Sequence, residues 1–160
     1  MAKKFGPHMY EYKLGQRNYS FDTQVDQIVA NTKEKLLFVV KDSLDNLIEE
    51  IQTPVAKDGK MHVDTGFLRH SAVASVNEIP SGEVRGRRRR KGEIGVLEEY
   101  SGDRAGPIGV KISQVEIGDI FYFGWSANYA KIREAYDGFL EAGLMNWQKH
   151  VDNAINKLKR

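Results

Sequence analysis

From Thr23 to Ile51 the large apolar residues fall at Val25, Ile28, Val29, Leu36, Val40, Leu44, Leu47, Ile48 and Ile51, with Thr32 filling the one gap. That spacing keeps to one face of a 3.6-residue period for about eight turns and predicts a single helix. Thr23 with Asp26 three residues later makes a capping-box-like start, and Thr53-Pro54 stops the run. Roughly 30 residues at about 1.5 Å each give a rod of about 45 Å. Whatever else the chain builds must be laid along that rod. Its middle, Leu36-Leu37-Phe38-Val39-Val40, is apolar all round. Such breadth predicts burial on two sides, by the chain's own sheet and by a neighbouring subunit.

The length of 160 residues fits one domain with a real core. Residues 1–20 show no helical period and are rich in Gly, Lys and Tyr, so they read as an arm, mobile or laid along a neighbour. Residues 21–160 read as one α+β domain. Its long N-terminal helix and a C-terminal helix pack on a small antiparallel sheet carrying a long basic hairpin loop. The corner between first helix and sheet is Val63-Asp64-Thr65-Gly66-Phe67-Leu68-Arg69-His70-Ser71. Asp and Thr can bond their own backbone in a turn, and Gly66 supplies the positive φ that closes it. Strands are expected at 72–79, at Ile94-Gly95-Val96-Leu97, along 108–118 with a change of phase near Ser113-Gln114, and centrally at Ile120 to Trp125. Asn128 to Tyr136 reads as a short helix. Leu140, Leu144, Trp147, Val151, Ala154, Ile155 and Leu158 then mark one face of a single C-terminal helix of about six turns.

Composition narrows the function classes. Hydrophobic content of 41% and charged content of 29% are ordinary for a globular chain. No run approaches the ~18 apolar residues of a membrane span, and Met1-Ala2-Lys3-Lys4-Phe5-Gly6-Pro7 lacks a signal-peptide apolar core. With no cysteine there is neither a disulfide framework nor thiolate chemistry, which fits a reducing interior or a particle assembled in one. His8, His62, His70 and His150 lack the short spacing of a metal pair. Glu49-Glu50 and Glu98-Glu99 are adjacent, so on regular elements they diverge. No phosphate loop, nucleophile elbow or kinase signature is present. The residues offer no catalytic set, no metal ligands and no cofactor site, and the expected protein is not an enzyme.

One feature is chemically sharp. Arg85, Arg87, Arg88, Arg89, Arg90 and Lys91 carry six positive charges of a chain whose net is +2, leaving −4 (2 minus 6) on the rest. Four consecutive guanidinium groups repel one another, and phosphate or carboxylate relieves them bidentately. This run is the candidate contact for DNA or an acidic partner. No recognition helix or zinc site accompanies it, so base readout is not expected. The bland alternative is a solvated loop. The aromatic set Tyr122, Phe123, Trp125, Tyr129, Tyr136, Phe139 and Trp147 reads as core.

Two stretches, taken together, carry a resemblance. The first is Asp64-Thr65-Gly66-Phe67-Leu68-Arg69-His70-Ser71. The second is Tyr129-Ala130, then Glu134, then Phe139-Leu140 and Ala142. In this order, with a sheet between, they resemble the tail-completion or neck proteins of long-tailed bacteriophages and prophages, over roughly residues 23–158. That family places a D-T-G-x-L-R-x-S turn after a long first helix and a Y-A…E segment before an F-L-x-x-A helix. Here Ala135-Tyr136-Asp137-Gly138 is shorter than the family's usual linker, and the arginine run is outside its pattern. The resemblance implies a structural virion protein made in the host cytoplasm and placed in the neck or tail. It implies a homo-oligomeric ring joining head to tail, with other neck, connector and tail-tube proteins as partners and packaged DNA nearby. It implies no catalysis, cofactor or membrane. Asp64, Thr65, Gly66, Leu68, Arg69, Tyr129, Glu134, Phe139 and Leu140 become its structural motif. The alternative function is a nucleic-acid-binding module using the Arg85–Lys91 loop.

Overall fold

The computed structural model describes residues 12–14, 17–19, 21–64, 66–81 and 105–159. The chain divides into two compact units, Met1–Leu36 and Leu37–Arg160. The first holds strands β1 (Tyr12–Leu14) and β2 (Arg17–Tyr19), paired antiparallel with Tyr12 opposite Tyr19. It also holds the N-terminal half of helix α1 (Phe21–Gln52), whose 32 residues match the predicted rod. Within this half the Thr32 hydroxyl donates to the Ile28 carbonyl at 2.7 Å.

The second unit is α+β, with the long helix, C-terminal helices and a small two-stranded antiparallel sheet among the described residues. The C-terminal half of α1 serves two packed groups at once. Leu47 and Ile51 join Met61, Phe67, Leu68, Ala127 and Phe139, while Ile48 joins Ala72, Ile108 and Ile112. Neighbouring positions on a helix point about 100° apart, which is how one rod feeds both groups. The sheet pairs β3 (Ala72–Val76) with β4 (Phe121–Trp125), Ala72 opposite Trp125 and Val76 opposite Phe121. Trp125 meets Phe123 and Phe139 edge-on at centroid distances of 5.0 and 4.9 Å.

Within the expected corner, Phe67–His70 form one helical turn, α2, ahead of the strand. Three local expectations change. Strand β3 stops at Val76 because Asn77 takes a φ of 62°. Its side chain then donates to Asp119 (2.8 Å) and accepts from the Ile120 N–H (2.9 Å). The 108–118 stretch is not a strand. Helix α3 covers Ala105–Ser113, with Ile108, Ile112 and, one turn on, Val115 buried at helical spacing. Pro107 sits in its first turn, where no N–H is required. Lys41 on α1 donates to the Ser113 carbonyl at 2.7 Å, a cation on the helix's negative end. Last, the C-terminal helix is broken. Helices α4 (Ala130–Asp137), α5 (Phe139–Met145) and α6 (Trp147–Leu158) follow one another, with Asn146 turning the chain between the last two. The Ile94–Leu97 strand and the Arg85–Lys91 hairpin loop lie outside the described residues.

Between α1 and α2 the chain makes a tight loop. A 3-10 turn at Val55–Lys57 brings Pro54 and Met61 into a parallel bridge, and the Val55 N–H donates to the Met61 carbonyl at 3.0 Å. Met61 is fully buried. Gly59 passes so close to Thr53 that a Cβ there would stand 1.9 Å from the Thr53 carbonyl oxygen.

Candidate functional site

The two stretches that carry the resemblance meet in one joint. Gly66 adopts φ 81°, the left-handed state predicted for the corner, and hands the chain to α2. Thr65 lies outside the described residues, and Asp64 is exposed. From α2, Phe67 and Leu68 point into the core, and the Phe67 ring lies 5.8 Å from that of Tyr129. Burial pushes the Tyr129 hydroxyl above its ordinary pKa, partly offset by a hydrogen bond with the Leu68 backbone and by the nearby Arg133 charge. Phe139 and Leu140 pack on the same group.

Ser71 and Glu134 pin this joint from either side. Ser71 is fully buried; its hydroxyl donates to the Leu68 carbonyl (2.7 Å) and accepts from the Ala127 N–H (3.2 Å). The Ser71 carbonyl accepts from both the backbone N–H and the hydroxyl of Ser126. A single serine thus ties the corner to the chain leaving β4. The Glu134 carboxylate accepts from the N–H groups of Leu140 (2.9 Å) and Glu141 (3.0 Å). Those are donors of the first turn of α5, so Glu134 caps the helix from the one before it. Beside it, the Arg133 guanidinium donates to both oxygens of Asp137, each at 2.7 Å. Asp137 also accepts from the His62 N–H at 3.3 Å.

Arg69, the remaining motif residue, is exposed and turns away from the joint. It lines a cleft of about 570 Å³ with His70, Lys57 and, from α1, Asp45 and Glu49. Partial burial, then the charges of Asp42 and Glu49, push the Asp45 carboxyl above its ordinary value. The cleft therefore holds both signs of charge. Among the described residues no three His, Asp or Glu side chains converge to hold a metal ion.

The sequence reading missed a second clip. Glu50 on α1 accepts from the Asn146 side-chain amide at 2.5 Å and meets His150 Nε2 at 2.7 Å. The signal was present: His150 shares the inward face of α6 with Trp147 and Ala154, a position where a polar group needs a partner. The arginine run, the leading DNA-contact candidate, lies outside the described residues. No protein-family model, curated protein or solved structure matches the chain.

Proposed function

We propose that the chain is a structural virion protein of the phage neck, a ring-forming head–tail joining or tail-completion component. The observation that supports this reading is the meeting of its two signature stretches at Phe67 and Tyr129, 5.8 Å apart. In a structural part, motif residues belong to the architecture. Here Gly66, Leu68, Ser71, Tyr129, Glu134 and Phe139 all serve internal bonds or packing. On this reading the Arg85–Lys91 run acts in the ring, where symmetry repeats six charges around one channel and their summed field matters though one copy binds weakly. The arginine run itself favours a second reading, a nucleic-acid-binding module. The discriminating experiment replaces Arg87, Arg88, Arg89 and Arg90 with Ser. The neck reading expects a defect in particle completion or DNA retention larger than any loss of binding to free duplex. Normal particle completion by the variant, with tight duplex binding by the unaltered chain at about 150 mM salt, would favour the module.

A further inference from the structure

The N-terminal half of α1 carries an apolar stripe that stays largely exposed. Val25, Ile28, Val29 and Leu36 are between 39% and 65% exposed, and Phe21 at the stripe's outer end is exposed as well. Thr32 belongs to the stripe, because its hydroxyl is spent on the Ile28 carbonyl and its methyl is free to pack. The set Phe21, Val25, Ile28, Val29, Thr32 and Leu36 has a further property. Reversed end to end it maps onto itself: Phe21 falls on Leu36, Val25 on Thr32, and Ile28 on Val29. A surface that matches its own reverse is what a two-fold contact between identical subunits requires.

The charges repeat the pattern. On a helix of 3.6 residues per turn, Asp22, Asp26 and Lys33 lie within about 40° of one another, along one flank of the stripe. In an antiparallel pair that flank faces its own copy. In the register that matches the apolar residues, Lys33 comes level with Gln24 of the second copy, about 3 Å along the axis from both Asp22 and Asp26. The dyad repeats the cluster. A parallel pair instead sets the acidic flank against Gln24 and Asn31, and Lys33 beside Lys35. We infer that residues 21–36 of α1 dock against the same residues of a second copy of this chain, antiparallel, with the dyad between Ile28 and Val29. The inference is independent of the neck reading, since a chain that never entered a particle would pair in the same way.

The contact spans only about four helical turns, well short of the ~1,200–2,000 Å² of standard stable interfaces, so pairing is expected at tens to hundreds of micromolar. The native chain has no cysteine, which makes cross-linking unambiguous. Full-length Val25→Cys and Thr32→Cys variants are oxidised separately and mixed. The expected result is a disulfide-linked heterodimer from the mixture and little dimer from either alone, because position 25 meets 32 of the other copy while like positions stand about 10 Å apart. Both substitutions are mild and solvent-facing, so folding is preserved, and circular dichroism verifies it. Sedimentation supplies the second readout. Lys33→Glu should weaken pairing roughly tenfold, and mixing it with Asp22→Lys/Asp26→Lys should restore it. Cross-linking of each variant with itself would mean a parallel pair and overturn the inference. So would a chain that stays monomeric at about 500 µM, or a dimer indifferent to Lys33→Glu.

Discussion

The two halves of α1 share one helical period and opposite fates. Ile51 in the C-terminal half is 2% exposed, and Ile28 in the N-terminal half is 65% exposed. Both sit on the apolar face that the periodicity announces. Around Ile51 the chain supplies Met61, Phe67 and Phe139, whereas Ile28 is left largely exposed. Periodicity therefore identifies a surface that needs cover without saying which molecule provides it. The breadth of the Leu36–Val40 segment pointed to burial on two sides; in the structure Leu36 and Phe38 are exposed and Leu37, Val39 and Val40 are half-buried.

The comparison breaks most directly on a matched pair of truncations. Ile51→Ala is expected to cost about 2–5 kcal/mol in denaturant unfolding, because it opens a cavity in a packed group. Ile28→Ala, measured at low protein concentration, should cost less than about 0.5 kcal/mol. Equal costs would mean that the N-terminal half is covered by its own chain after all. A smaller effect is expected from Gly66→Val, about 1–3 kcal/mol, since a β-branched residue is forced into positive φ where the C-terminal half meets α2. An unchanged melting curve would remove the corner from the argument. Glu134→Ala should cost about 1 kcal/mol through loss of the α5 cap, and Glu134→Asp should not rescue it, the shorter side chain failing to span the two N–H groups. The smallest effect concerns charge on the buried half. Folding raises the Asp45 carboxyl, so its protonated form is favoured in the native state, and the benefit present at acid pH is lost as pH rises through the raised value. Asp45→Asn should therefore raise the melting temperature slightly at neutral pH, with the gain shrinking as pH falls through the raised value, vanishing below the ordinary carboxylate value of 3.8, and smaller in high salt.

Much of this fold was legible. The rod, the Thr53-Pro54 stop, the Gly66 corner and the β-prone Phe121–Trp125 all follow from local chemistry, and the structure has them. Helix α3 was misread for a definable reason. Ile108, Val110 and Ile112 satisfy an alternating pattern, while Ile108, Ile112 and Val115 satisfy a helical one, and short runs admit both. Burial decides it: Val110 is exposed and the other three are not. The break at Asn146 was hidden because the apolar face continues through it; the Glu50 clip that holds it is set by residues 96 and 100 positions away. Of the candidate site, the motif residues were identifiable, and their roles were not. Nothing local tells that Glu134 reaches across Gly138 to cap the next helix, or that Ser71 joins two distant segments.

The loop closing on Gly59 carries a consequence for how this protein tolerates change. Exposed loops usually accept substitution, and Lys57 and Lys60 on either side are exposed. Gly59 is not free to change, because any side chain would drive into the Thr53 carbonyl that also receives the Met61 N–H. A population of randomised variants should drift at Lys57 and Lys60 and hold glycine at 59. By solvent exposure the position is only half-buried; ranked by survival it should stand with the deepest residues of the core.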